Sequence, residues 1–294
     1  MRVLVAGGTG AIGRRLVPLL VAHGHEVATF SRSGRPVQGA LSIAADALDP
    51  AAVQQVVTRT SPDVVVNLLT AIPDPVNPRR MVQQFAWTNQ LRREGTRNLI
   101  VCAPGRVVAE SIAFAYAPGE GLADEDAPLW HNPPQQFAEV LSGVRSLEEQ
   151  TTAAGGTVLR VGHLHGPGTT FGPGGGTRAA VASKKLPVVG AGTAVFSFAH
   201  VDDVAEAFVA ALTGPTGTFN ITDGEPAAVA TWLPSYARGL GAKPPGRVPA
   251  GVARLAVGGW GVAFMTQLRG ADNRRARQDL GWTPSRPWST TLSA

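Results

Sequence analysis

The chain has 294 residues, an apolar content of 44% and a formal net charge of +5. That length buries a large core in one or two domains, and no apolar run is long and clean enough to span a bilayer. Apart from Lys184, Lys185 and Lys243 the basic residues are arginines, spread in pairs such as Arg14-Arg15, Arg79-Arg80, Arg92-Arg93 and Arg274-Arg275, so nucleic-acid binding is not indicated. The single cysteine, Cys102, excludes an internal disulfide and fits a reducing cytoplasm. Because the chain enters a strand at once, no secretory leader is expected.

An apolar strand at 3–6 is followed by Gly7-Gly8-Thr9-Gly10-Ala11-Ile12-Gly13 and a helix over 12–22. Glycines at 7, 10 and 13 in that setting suit a dinucleotide pyrophosphate. One makes the tight turn, the next lets the backbone approach the phosphates, and the last lets the helix pack closely on the strand. The helix N-terminus adds free N–H groups and the positive end of its dipole. The expected cradle is Gly7, Thr9, Gly10, Ala11, Ile12 and Gly13.

A second strand at 26–30 ends in Ser31-Arg32-Ser33, with Arg35 beyond. Sites for NAD place a carboxylate there to hold the ribose hydroxyls. A guanidinium fork flanked by hydroxyls suits a 2′-phosphate instead. Ser31 and Arg32 therefore predict NADP(H), with NAD as the alternative. Further strands at 64–69, 106–110 and 157–161 alternate with helices at 50–59, 82–103 and 136–154. This alternation predicts an α/β fold, a Rossmann-type doubly wound parallel sheet with right-handed crossovers. Leu69 ends the third of these strands at the same edge and joins the expected cofactor contacts. The Gly- and Pro-rich stretch 162–176 reads as a loop over the cofactor. The apolar stretch 252–265, interrupted by Gly258, Gly259 and Gly261, reads as a buried or dimer-facing helix and leaves a homodimer open.

Taken together, several stretches resemble the extended short-chain dehydrogenase/reductase superfamily, its NAD(P)-dependent epimerase/dehydratase group, over nearly the whole chain. They are the opening glycine turn, Asp46-Ala47-Leu48-Asp49, Asn89 with Gly95-Thr96-Arg97-Asn98-Leu99, Leu159-Arg160-Val161-Gly162 with His165-Gly166-Pro167-Gly168, Phe198-Ala199-His200-Val201-Asp202-Asp203-Val204-Ala205, Gly217-Thr218-Phe219-Asn220-Ile221, and Leu280-Gly281-Trp282-Thr283-Pro284. The resemblance implies that Asp46 contacts adenine. It also implies a dinucleotide-binding part at 1–162, rejoined by 196–222, and a smaller C-terminal substrate-binding region from 163–195 and 223–294. Asp202-Asp203 reads as a helix N-cap with structural hydrogen bonds rather than a metal pair, and His200 as structural. No metal site is expected, since His163 and His165 have no Cys or carboxylate partner.

The superfamily's usual chemistry uses Tyr and Lys four residues apart on one helix, the lysine lowering the phenol's pKa so that it exchanges a proton with the substrate oxygen. This chain has no such pair: Tyr116 is followed four later by Glu120, and Tyr236 by Leu240. Aligning Leu147-Glu148 with the family's helix end puts Val140 and Val144 at those positions, and a one-residue shift gives Leu141 and Arg145. Three substitutes stand out. Ser111 resembles the active-site serine position, against a turn-stabilising role. Tyr116 is the nearest phenol, against packing. His165, paired with His163, offers an acid or base, and His131 is a weaker candidate. Trp87, Trp130, Phe137 and Phe171 read as core or as the lining of an apolar pocket.

The leading expectation is an atypical NADP-dependent oxidoreductase acting on a small apolar or ring-containing carbonyl or alcohol. The alternatives are an epimerase, dehydratase or non-redox catalyst using bound cofactor, and an NADP(H)-binding regulatory protein without catalysis.

Overall fold

The computed structural model describes residues 1–292. Its centre is a seven-stranded parallel sheet built from β1 (Arg2–Ala6), β2 (Glu26–Ser31), β3 (Leu41–Ala44), β4 (Val64–Asn67), β5 (Arg106–Ile112), β6 (Thr157–Val161) and the strand Gly217–Ile221. The order across the sheet is Gly217–Ile221, β6, β5, β4, β1, β2, β3. The central strands are apolar without alternation because both faces are covered. Val3, Val5, Val64, Val66, Val108 and Leu159 pack toward α1 (Gly13–Ala22) and the helix Val201–Ala211. Leu4, Ala6, Val65 and Val107 pack toward α2 (Pro50–Thr60) and its neighbours. Asp49 caps α2 through Ala51 and Ala52, with Pro50 at the first helical position.

The helix expected at 82–103 is three pieces: α3 (Met81–Gln90), a π-helical turn (Leu91–Gly95) and α4 (Thr96–Cys102). β3 falls outside the expected strands; it is a short edge strand, only half-buried, and lacks the apolar run of the others. The next helix, α5 (Gln135–Ala153), falls close to its expected span. Its N-terminal half joins a second core with Phe171, Phe196, Phe198, Trp232, Tyr236 and Trp260.

Two expectations in the C-terminal half are corrected. The loop after β6 contains a short strand, His163–His165, paired in parallel with Phe198–His200. The helix Val201–Ala211 is capped by His200, whose Nδ1 accepts from the Asp202 backbone N–H, not by Asp202-Asp203. Asp203 is buried and takes hydrogen bonds from Ser285 and Arg286, tying the C-terminal segment down. The apolar stretch near the C-terminus forms the helix Ala250–Thr266, kinked at Gly258, where φ is +73°.

Candidate cofactor and active site

The glycine turn connects β1 to α1. Gly7 has φ of +91°, and a Cβ there would lie 2.6 Å from the Leu68 carbonyl oxygen. A Cβ on Gly13 would lie 2.6 Å from the backbone of Gly8, and one on Gly8 2.7 Å from Thr29 Cγ2. These three glycines are fixed by the protein itself. Gly10 is different: it is exposed, and a Cβ would meet only the Gly7 carbonyl oxygen at 3.4 Å. Nothing in the chain needs a glycine there, so the need comes from outside, as close approach to a phosphate would impose. Thr9 accepts at its carbonyl from Arg14 Nε, while Ala11 and the buried Ile12 lead into α1. The cradle therefore fits a dinucleotide.

The remaining expected contacts lie along the same carboxyl edge. Ser31 ends β2 and Arg32 follows it, Asp46 follows β3 and Leu69 follows β4. Arg32 is exposed and sits over the half-buried Trp87 ring, 4.9 Å from its centroid. Asp46 Oδ1 accepts from the Leu48 N–H at 3.0 Å, and Leu69 N–H donates to Asn67 Oδ1 at 3.1 Å. The segment 31–41 after β2 carries no carboxylate, and Glu26 begins that strand.

Of the two registers for the family's Tyr and Lys, one places them at Val140 and Val144 and the other at Leu141 and Arg145, whose Nη2 donates to the Trp130 carbonyl at 2.8 Å. Val140 and Val144 are buried in one cluster with Leu141, Ile112 and Phe137. Glu148, one turn beyond Val144, instead anchors a buried polar network. It accepts from Ser111 Oγ at 2.6 Å and from Arg160 Nε and Nη2 at 2.9 and 2.7 Å. Arg160 Nη1 also donates to the Tyr116 hydroxyl, which donates to Asn220 Oδ1 at 2.6 Å.

The three residues expected to be catalytic, Ser111, Tyr116 and His165, are all buried. Ser111 and Tyr116 are each 1% exposed and share the Arg160 network with their hydroxyls committed. Burial, against the pull of Arg160, pushes the Tyr116 phenol up to about 12, the reverse of an activated acid. His165 is fully buried in a separate cluster, its ring edge-on to His200 and Phe198 and its Nδ1 3.2 Å from Thr291 Oγ1. His131 is exposed in a groove on the outer side of α5 with Arg93, Arg145 and Glu149. Trp130, Phe137 and Phe171 belong to the second core.

His163 is buried in a ring column, stacked on Phe196 at 3.8 Å and under Phe114 at 4.6 Å, with its Nδ1 3.2 Å from the Ser197 carbonyl oxygen. Burial holds it neutral, down at about 3. The unfolded chain takes up a proton below pH 6.5 that the folded chain refuses, so this contribution is whole above 6.5 and is lost as pH falls toward 3. His163→Phe keeps the stack and removes the titration. Between pH 7 and pH 5 the parent should lose about 2 kcal/mol relative to the variant in urea unfolding. A constant difference across that range would contradict it.

Two residues escaped the sequence reading. Glu110 lies inside β5 and Arg92 on the π-helical turn. Arg92 is 3% exposed and its Nη1 has no hydrogen-bond partner among the described residues. A charged pair inside a predicted strand and a predicted helix carries no spacing signal; only the fold brings the two within electrostatic reach. No group of three or more metal-binding side chains occurs among the described residues, and no helix there is long and apolar enough to cross a membrane.

A doubly wound sheet with a dinucleotide turn defines a nicotinamide-nucleotide enzyme class, and comparison with known proteins gives the family. A profile of the NAD dependent epimerase/dehydratase family matches residues 3–222. A Streptomyces sp. protein named 3-diazoavenalumate denitrifying reductase is 44% identical over 301 residues, covering 98% of this chain and 97% of that protein. The Thermus thermophilus UDP-glucose 4-epimerase complex with NAD is 23% identical, covers 100% of this chain and 97% of its own, and has a TM-score of 0.76. Human epimerase family protein SDR39U1 with NADPH is 24% identical, with coverage of 100% and 98% and a TM-score of 0.72. The chain belongs to the NAD-dependent epimerase/dehydratase family and is an NAD(P)-dependent enzyme of the oxidoreductase/epimerase type.

Proposed function

We propose that the chain is an NADP(H)-dependent reductase that replaces the nitrogen of a small, ring-bearing diazo substrate by hydrogen. The observation that carries this reading is the pair Val140 and Val144, buried and apolar at the positions that the Leu147-Glu148 register aligns with the family's Tyr and Lys. Reducing a carbonyl develops negative charge on oxygen and calls for an acid at that atom. Expelling N2 leaves at most a phenolate, a far weaker base than the alkoxide formed in carbonyl reduction, so the reaction does not depend on a phenol–lysine pair. The Streptomyces relative, named as a denitrifying reductase of a diazo compound, supports the same chemistry.

Bound nicotinamide would supply the hydride. Gly10 and the N-terminus of α1 would hold the pyrophosphate, Asp46 and Leu69 the adenosine, and Ser31 with Arg32 the 2′-phosphate. Reduction of a small apolar or ring-containing carbonyl, the other substrate class considered, would have to draw its proton from a group other than the valine face.

The test is NADPH consumption and N2 release with an ortho-quinone diazide, beside a panel of aromatic aldehydes and ketones. Turnover of the carbonyls alone would overturn the diazo reading. Tight cofactor binding with no consumption in either set would favour a net non-redox catalyst or a binding protein. The cofactor assignment has its own check. Arg32→Ala should weaken NADPH binding about 10- to 100-fold, the loss of one charge-assisted contact, and NADH binding less than about 3-fold in titration calorimetry. Equal losses, or tighter NADH than NADPH binding by the parent, would reverse the preference.

A further inference from the structure

Glu110 is a carboxyl that the framework leaves uncommitted. The strand registers align Ala6, Asn67 and Ala109, so Glu110 stands one residue further on, level with Gly7 and two strands across, about 10 Å away. Of the expected adenosine contacts, Ser31, Arg32 and Asp46 lie at the ends of β2 and β3, on one side of β1, while Leu69 follows β4 on the other side, and the pyrophosphate turn follows β1. The nicotinamide end of a bound dinucleotide must then run toward β5 and β6, where Glu110 lies.

Glu110 is half-buried, and no described residue hydrogen-bonds or ion-pairs with its carboxyl. The charge acting on it is Arg92, which closes no salt bridge with it and keeps a buried Nη1 without a partner. Arg92 sits on the π-helical turn, an irregularity often found at functional sites. Glu148 also acts on Arg92, but its own oxygens are taken by Ser111 and Arg160. Burial, opposed by Arg92, brings Glu110 up to about 7, so both protonation states are accessible near neutrality.

Resting on the function proposed above, we propose that Glu110 is the proton donor that converts the neutral diazo substrate into its cationic diazonium form, the form that accepts hydride. A neutral diazo carbon is a poor hydride acceptor, and protonation turns its nitrogen into a leaving group. For an ortho-quinone diazide the step balances: Glu110 gives one proton to the ring oxygen, NADPH gives one hydride that forms a C–H bond at the diazo carbon, the C–N bond breaks with its electron pair leaving on N2, and a phenol, N2 and NADP+ remain. The carboxylate left behind is stabilised by Arg92 and regains its proton from water.

The experiment compares an ortho-quinone diazide, which is neutral, with a benzenediazonium salt, which is already cationic. Glu110→Gln should lower kcat/KM for the neutral substrate about 100-fold or more and leave the salt within about 3-fold. The parent's rate with the neutral substrate should fall above about pH 7, following the Glu110 carboxyl, while the rate with the salt stays flat. A readout without turnover accompanies this: infrared difference spectra of the parent should show a protonated carboxyl titrating near neutrality, absent in Glu110→Gln. If Glu110→Gln does not fold, Glu110→Asp keeps the carboxyl one methylene short and should retain about a tenth of the activity on the neutral substrate. Equal effects on both substrates, no effect on either, or no such infrared signal would overturn the assignment. A parent inactive on both substrates would overturn the diazo reading, and this role with it.

Discussion

Glu148→Ala should lower the unfolding free energy by about 3–5 kcal/mol, the range for removing one member of a buried ion pair. The side chains of Glu148 and Arg160 are 8% and 9% exposed, and two hydrogen bonds join them. Without Glu148 the guanidinium stays in the interior with only the Tyr116 hydroxyl and the Glu125 carbonyl as acceptors, and Ser111 Oγ loses its acceptor at 2.6 Å. The damage spreads because Tyr116 links onward to Asn220 on the strand Gly217–Ile221, so one carboxylate ties α5 to three strands. The paired replacement of Glu148 by Leu and Arg160 by Met should cost much less than either single change, since no charge is then stranded. Urea unfolding of the singles and the double measures the coupling. A loss below about 1 kcal/mol for Glu148→Ala would mean that water or a rearranged neighbour satisfies Arg160, and the network would not be the anchor of this helix.

The nucleotide turn was legible in the sequence because its constraints are local. Gly7, Gly8 and Gly13 are required by contacts with each other, with the start of α1 and with the next two strands, all set by one βα unit and its neighbours. The sheet was legible for a similar reason: runs such as Val3–Ala6 and Val64–Asn67 are apolar on both faces and too short for helices. The catalytic candidates rest on residue type, and type says nothing of burial. Ser111 and Tyr116 are near in sequence to the expected positions, yet Glu148, Arg160 and Asn220, far along the chain, claim their hydroxyls. The missing Tyr-x-x-x-Lys pair was readable, and its register agrees with Val140 and Val144 lying on the buried face that ends in Glu148. Glu110 was not readable, because a single acid within an otherwise apolar strand looks the same whether it faces solvent, a cofactor or a salt bridge.

Gly10→Val and Gly13→Val should separate ligand from fold. At Gly10 an added Cβ meets no protein atom closer than the Gly7 carbonyl oxygen at 3.4 Å, and the residue is exposed and outside the left-handed region, so the turn has room for a side chain turned to solvent. Thermal unfolding should move by no more than about 2 °C, as for a surface change of a few tenths of a kcal/mol. NADPH affinity should fall about 100-fold or more, roughly 2.7 kcal/mol, because the branched side chain occupies the space through which the backbone approaches the pyrophosphate. At Gly13 the Cβ lies 2.6 Å from the Gly8 Cα, C and O, which are backbone and cannot swing aside. That variant should lose both binding and about 1–3 kcal/mol of stability, the range for overpacking a close contact. Calorimetric titration with NADPH and a thermal melt distinguish the two. If Gly10→Val binds NADPH as the parent does, the phosphates do not pass over this turn, and both the cofactor placement and the path toward Glu110 would have to be drawn elsewhere. The contrast matters because both glycines fit the same sequence pattern, while the physics that holds each in place differs: Gly13 answers to the backbone beneath it, and Gly10 to the molecule that the turn is shaped to receive.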